Sequence, residues 1–306
     1  MDITQVEAFL AIAKLGSFSK AAARLHRSQP AISRRIALLE GEVGAPLFER
    51  IRKHVQLTDA GRALRPHAEA VLAAARSGEE AVHAQLGRGA GTVTLGVVGT
   101  LVDAPLAKAL ARFAGTQGGQ RLRVATYSSE TLTELVREGV VTMALRYFSD
   151  RSTDLTCSEV GVESMVVVAS GARPVPDDLA RACWVGFTTS RLTRDVFGHL
   201  LRRRLDAAGI DDPPMMIVDS LSAQKRLIEA GFGLGLLPHT SVQDELAAGS
   251  LQHVDAPAIA TEIPVTLVHR RGGYLSPAAC ALSDVLRAHA AKRFRPARRA
   301  PRKRTP

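Results

Sequence analysis

Long apolar runs are missing from this 306-residue sequence. No stretch approaches about 18 uninterrupted apolar residues, so no membrane-spanning helix is expected. The first residues, "MDITQVEAFLAIAKLG", lack a basic segment followed by an apolar one, so no secretory leader is expected and the cytoplasm is the expected compartment. Cysteine is scarce. Cys157, Cys183 and Cys280 are widely spaced and odd in number, which argues against a disulfide framework and against a metal-ligand cluster. Catalytic signatures are missing too: there is no G-x-S-x-G, no H-E-x-x-H and no phosphate-cradling glycine loop. The glycines of "GFGLGLL" fall after a helix pattern and inside a strand pattern, the wrong context for a nucleotide fingerprint. No enzyme activity, cofactor or metal is expected.

What is present is charge at the two ends. The net charge is +10. Residues 292–306 hold eight Lys/Arg and no acid, and residues 1–62 hold ten basic and six acidic residues. That leaves 63–291 with 22 basic and 24 acidic residues, an electrically ordinary body. Basic ends on a neutral body point to a polyanion partner, above all nucleic acid. For the tail alone, a disordered solubilising end explains the composition equally well.

Residues 1–58 read as short helices followed by a hairpin. Thr4 and Glu7 have capping-box spacing before the helical run Val6, Phe9, Leu10, Ala13, which Gly16 stops. Ser19 is the expected N-cap of a second helix with Ala21, Ala22 and Leu25 inward, and Ser28 that of a third. Pro30 falls in the third helix's first turn, where its missing N–H costs little. At 100° per residue Ile32, Ile36 and Leu39 share one stripe, while Pro30, Ser33, Arg34 and Ala37 share the opposite one. Small residues let a helix sink into a groove, Arg34 can reach a base edge or phosphate, and Gln29 can pair with adenine. Two helices joined by a tight turn, the second carrying such a face, form a helix-turn-helix. "PLFERIRKHVQLT" then reads as a hairpin whose Arg50, Arg52 and Lys53 contact phosphates, or as a solvated basic turn.

"SFSKAAARLHRSQPAISRRIALLEGEVGAPLFER" followed by "LTDAGRAL" resembles the winged helix-turn-helix of LysR-type transcriptional regulators. The shared features, in order and without gaps, are the AA pair, S-Q-P-A-x-S, L-E, G-x-P-L-F-x-R and L-T-x-A-G. The resemblance implies that Ser28, Gln29, Pro30, Ser33 and Arg34 lie along the major groove and that Arg50, Arg52 and Lys53 meet the backbone. It implies double-stranded DNA with an interrupted dyad as partner.

Residues 59–88 carry a heptad seam, Leu64, Ala68, Val71, Ala75, Gly78 and Val82, broken by Pro66, which should kink or delay the helix. The seam suits packing on its own domain or, as the resemblance implies, a linker helix joining two DNA-binding heads in a homodimer or homotetramer.

From Thr92 the pattern alternates. Strands are expected at 92–98, 122–127, 141–147, 164–170, 183–187, 215–219, 233–238 and 263–270, and helices at 104–114, 131–139, 194–209, 222–231 and 277–294. The alternation implies a parallel sheet. The expected class is α/β overall: an all-α winged helix-turn-helix plus linker helix, then a two-subdomain fold. That second part resembles the type 2 periplasmic-binding-protein fold with which LysR-type regulators sense small molecules. The expected domains are 1–58, 59–88, 92–290 and a basic tail 291–306. Within 92–290 the subdomains are 92–161 with 268–290, and 162–267, crossing near 160–164 and 262–267.

Ligands of such sheets bind beyond the strands' carboxyl ends, near helix N-termini. The candidate effector residues in the loops at those ends are Thr100, Leu101, Ser128, Ser129, Arg146, Phe148, Thr188 and Leu221, of which the resemblance implies the hydroxyls of Thr100, Ser128, Ser129 and Thr188. Each hydroxyl serves equally well as an N-cap. Arg146 suits the carboxylate of an anionic effector, or is solvated or ion-paired. Thr142 stands where family members often carry Asp, which would remove a structural hydrogen bond. The leading expectation is a one-component, effector-responsive transcription factor. The alternative is a solute-binding or enzymatic module whose N-terminal part only oligomerises; it predicts no salt-dependent, sequence-preferring DNA binding.

Overall fold

The computed structural model describes residues 1–51, 54–85, 92–116, 121–150, 152–187 and 199–295. The chain divides into two compact units, one built on Met1–Arg88 and the other on most of the chain beyond.

In the first unit α1 (Ile3–Leu15) starts two residues earlier than the Thr4–Glu7 spacing suggested. Asp2 is the N-cap: its side chain accepts from Gln5 N at 2.8 Å, and Gln5 Oε1 accepts from Asp2 N at 2.7 Å. Thr4 instead donates its hydroxyl to Asp2. Gly16, at φ 60°, closes the helix. α2 (Phe18–Arg24) is capped by Ser17, not Ser19: Ser17 Oγ accepts from Lys20 N. α3 (Gln29–Val43) has the expected cap, Ser28, whose hydroxyl accepts from Ala31 N, and Pro30 sits in its first turn. β1 (Phe48–Ile51) and β2 (His54–Leu57) pair antiparallel as the wing. Glu40 ties α3 to that wing by accepting from Leu47 N at 2.7 Å and Phe48 N at 3.3 Å.

α4 (Asp59–Gln85) runs without a break through Pro66, so the proline neither delays nor ends it. Its heptad seam is divided. Leu64 and Ala68 pack into the winged-helix core, whereas Val71, Gly78 and Val82 are exposed. That core is formed by Val6, Phe9, Ile12, Ala21, Ile32, Ile36, Leu39 and Leu47, with the rings of Phe9 and Phe18 packed on Phe48. Each fully buried large side chain contributes roughly 1.5–3 kcal/mol.

The second unit contains β3 (Thr92–Val97), a 3-10 turn (Gly99–Leu101), α5 (Ala104–Thr116), β4 (Arg121–Thr126), α6 (Ser129–Arg137) and β5 (Met143–Tyr147). The long β6 (Leu155–Ser170) leads to β7 (Trp184–Phe187), α7 (Leu200–Ala207), β8 (Met215–Val218), α8 (Leu221–Glu229) and β9 (Gly235–Pro238). α9 (His239–Ala248), β10 (Leu251–His253), β11 (Thr261–Arg270) and α10 (Pro277–Arg293) complete it. The sequence reading assigned neither α9, β10 nor the first half of β6.

The sheet is mixed, not parallel. β4, β3 and β5 are parallel neighbours, but β11 pairs antiparallel with both β5 and β6, and β6 pairs antiparallel with β9 and β10. β7 and β8 pair parallel apart from it. The antiparallel pairs arise because β6 and β11 are the crossing segments themselves, continuous strands that serve both lobes. Their register shifts between Val265 and Thr266, opposite Gly161 and Glu159. Thr142 keeps a hydrogen bond, its hydroxyl accepting from Thr94 N at 3.2 Å. The segment 291–295, assigned above to the tail, belongs to the body: α10 runs to Arg293, Phe294 is buried, and Arg295 pairs with Val162. Among the described residues no helix is long and apolar enough to cross a membrane.

Candidate nucleic-acid interface and candidate ligand site

α3 has two unlike faces. Ile32, Ile36 and Leu39 are 0%, 3% and 0% exposed. Ser28, Gln29, Pro30, Ser33, Arg34 and Ala37 are all exposed. The turn before α3 is closed by Leu25 and by His26, whose φ is 52°, with Arg27 N donating to Ala22 O at 2.9 Å. Ser19 Oγ donates to Gln29 Oε1 at 2.9 Å across that turn. Residues 8–39 carry six Lys/Arg and no Asp or Glu, and Arg24, Arg27 and Arg34 are exposed. The surface is therefore small-featured, polar and positive, and it matches a phosphate-flanked groove. The side chain of Arg50, and Arg52 and Lys53 altogether, lie outside the described residues.

In the second unit the candidates separate by burial. Thr100, Ser128, Phe148 and Leu221 are half-buried at the carboxyl ends of β3, β4 and β5 and at the start of α8. Leu101 (2% exposed) is core, and Ser129 and Arg146 are buried. Thr188 lies outside the described residues. Ser128 has the capping role: its hydroxyl accepts from Thr131 N in the first turn of α6. Ser129 Oγ accepts from Tyr147 N.

Arg146 is buried on β5 and bonds to its own surroundings. Its guanidinium donates to Phe148 O, to Ser129 O at 3.1 Å and to Thr133 Oγ1. These bonds brace Phe148, which adopts φ 62°, an unfavourable region for a bulky residue.

Beneath these loops lies a polar network that sequence reasoning missed. Thr100 Oγ1 donates to the hydroxyl of Tyr147, a fully buried residue. Burial, reinforced by neighbouring Glu163, pushes the Tyr147 phenol well above its ordinary pKa. Glu163, on β6, is 1% exposed, and its carboxylate accepts from Thr240 N and Thr240 Oγ1. Burial pushes the Glu163 carboxyl up, against the lowering effect of the Thr240 bonds. Thr240 stands in the first turn of α9, whose N-cap Pro238 offers no side-chain cap. Glu163 thus supplies, from another element, the acceptor and negative charge that a helix start favours. The only sequence signal was an acid at alternating spacing within a strand.

Comparison with known proteins agrees with both halves. Residues 3–62 match the family model described as bacterial regulatory helix-turn-helix protein, lysR family, and residues 86–291 match the LysR substrate binding domain. The chain is 28% identical over 300 residues to the HTH-type transcriptional regulator CfxR of Cupriavidus necator, covering 95% of this chain and 93% of that protein. Full-length LysG from Corynebacterium glutamicum with bound effector Arg superposes with a TM-score of 0.66 at 22% identity, covering 97% of this chain and 100% of the other. DarR from Vibrio fischeri in complex with DNA gives a TM-score of 0.54 at 23% identity, covering 95% of this chain and 99% of the other. With both domain models matched over most of its length, the chain belongs to the LysR family: it is a DNA-binding transcriptional regulator with an effector-binding domain, and not an enzyme.

Proposed function

We propose that this regulator reads base edges through Gln29, Ser33 and Arg34 of α3, with Ser28 and Pro30 at the groove wall and Arg50, Arg52 and Lys53 on the phosphates. The observation that carries the reading is the contrast between the two faces of α3: the inner stripe is closed to solvent and the outer one is small, polar and open. Two copies joined through the exposed stripe of α4, Val71, Gly78 and Val82, would present two such helices to an interrupted dyad. Residues 1–58 form the head, 59–88 the linker, and the lobes beyond sense the effector.

The effector site lies among Thr100, Ser128, Phe148, Thr188 and Leu221. Arg146 braces Phe148 and Ser129 beside these loops. Ligand binding among these loops shifts the lobes and, through the dimer, the spacing of the heads. The cations beyond Arg295 add nonspecific DNA affinity, so truncation after Arg295 lowers the salt slope of binding.

The test is a fluorescence-anisotropy titration of the full chain against a duplex enriched from a random library and against an unrelated duplex. Arg34→Ala should weaken binding to the enriched duplex about tenfold or more while leaving the unrelated duplex little changed. Equal affinities for wild type and variant on both duplexes would remove Arg34 from its assigned role.

A further inference from the structure

One large apolar side chain of α3 is left out of the core. Leu38 is 54% exposed and does not join the cluster that Ile32, Ile36 and Leu39 help to build. At about 100° per residue it falls about 40° from Arg34. It lies about 55° from the line opposite the centre of that inner stripe, closer to it than Ser33 at about 85°. Leu38 therefore belongs to the outward face. Its helical neighbours three and four residues away are Arg34, Arg35, Gly41 and Glu42, which bring charge or no side chain at all. A Cβ added at Gly41 would meet no atom within 4 Å. The Leu38 methyl groups stand open in a charged surround.

We propose that Leu38 is a specificity-determining residue that reads the 5-methyl group of a thymine in the major groove. This rests on the reading that α3 lies in that groove with Arg34 at the base edges. One helical turn beyond Arg34 is roughly 6 Å along the axis, about two base pairs of duplex, so Leu38 continues the same interface. Every base offers donors or acceptors in the major groove, and thymine alone adds an apolar group, its C5-methyl. The leucine side chain can neither donate nor accept. Against a guanine, adenine or cytosine edge it displaces water from polar groups and replaces none of the lost hydrogen bonds, which costs free energy. Against a thymine methyl it removes apolar surface of both partners from water. The same side chain penalises three bases and rewards the fourth, which is how a contact discriminates.

The experiment uses the full chain and the duplex that wild type enriches from a randomised library. Each thymine of that duplex is replaced in turn by deoxyuridine, which deletes the methyl group and keeps every donor and acceptor. We expect wild type to lose about fourfold in affinity at one thymine per half-site, the effect of leaving one methyl group unburied. Leu38→Ala and Leu38→Gln should each bind the thymine and deoxyuridine duplexes equally at that position. Both replacements are good helix formers at an exposed site, and thermal melting checks that they fold. Arg34→Ala on the parent duplex tests the underlying reading. If wild type binds every deoxyuridine duplex as tightly as the parent, or if the Leu38 variants keep the wild-type discrimination, the proposal is overturned; the groove reading then stands as long as Arg34→Ala loses the parent duplex. If Arg34→Ala binds as wild type does, or wild type enriches no motif, both are overturned.

Discussion

The guanidinium of Arg293 donates to Asp103 Oδ2 at 2.6 Å. The same group reaches Gln243 Oε1 and, at 3.0 Å, Thr240 O, both on α9. Asp103 precedes α5 and accepts from Leu106 N at 2.8 Å. One side chain of α10 thus clasps an element of each lobe. Arg293→Met should cost about 2 kcal/mol, because a partly buried carboxylate and carbonyl lose their charged donor. Arg293→Lys should recover less than half of that, since an ammonium cannot reproduce the fork. Urea unfolding of the three proteins measures it.

Gly61 reverses the usual helix rule. In an exposed helix, glycine to alanine gains about 1 kcal/mol. A Cβ at Gly61 would stand 2.2 Å from the carbonyl oxygen of Leu47 and 2.8 Å from Leu57. The first turn of α4 would have to leave the wing. Gly61→Ala should lower stability by about 2–3 kcal/mol and weaken DNA binding as the wing moves. Gly41→Ala in α3, where nothing lies within 4 Å, should not be destabilising. Thermal melts of the pair decide it.

His26 holds a left-handed conformation at the turn of the helix pair, φ 52°, with its side chain exposed. His26→Gly should raise stability by about 0.5–1 kcal/mol, and His26→Val should lower it by about 1 kcal/mol or more. Chemical denaturation curves for the two variants should move in opposite directions from wild type.

His289 gives the second unit an acid-side weakness. Burial, with Arg293 adding to it, pushes the imidazole below its ordinary pKa, against the pull of Asp103. Between that lowered value and about 6.5 the unfolded chain binds more protons than the folded one, so stability falls as pH falls through this window. The contribution is fully present above about pH 6.5. His289→Gln should flatten the loss, which urea midpoints between about pH 5 and 7.5 would show.

The two faces of α3 were legible because they obey one local rule. The 100° spacing separates Ile32, Ile36 and Leu39 from Ser33 and Arg34 without help from the rest of the chain. Caps were less legible. Asp2 and Thr4, or Ser17 and Ser19, are equally good candidates by residue type, and tertiary packing picks the one that buries Val6 or Ala21. Pro66 does not delay the helix, because a single missing N–H does not outweigh a helix anchored on its own core by Leu64 and Ala68. Arg146 was readable only as a carboxylate binder, a solvated cation or an ion-paired one; its bonds to Ser129 O and Thr133 Oγ1 cross from β5 to α6, which only the fold reveals. The Glu163–Thr240 cap spans 77 residues, beyond the reach of any local pattern.

The position of β11 has a consequence for synthesis on the ribosome. It is the last strand in the chain, yet it lies between β5 and β6 in the sheet. Until residues 261–270 have emerged, β5 and β6 each present a bare edge along their inner sides, and such edges recruit other strands. The winged-helix head closes its core with Leu39, Leu47 and Ala68, all made early. During translation the DNA-binding half can therefore be finished while the sensing half still waits for its keystone strand, and ribosome pausing before residue 261 would be the moment of greatest aggregation risk.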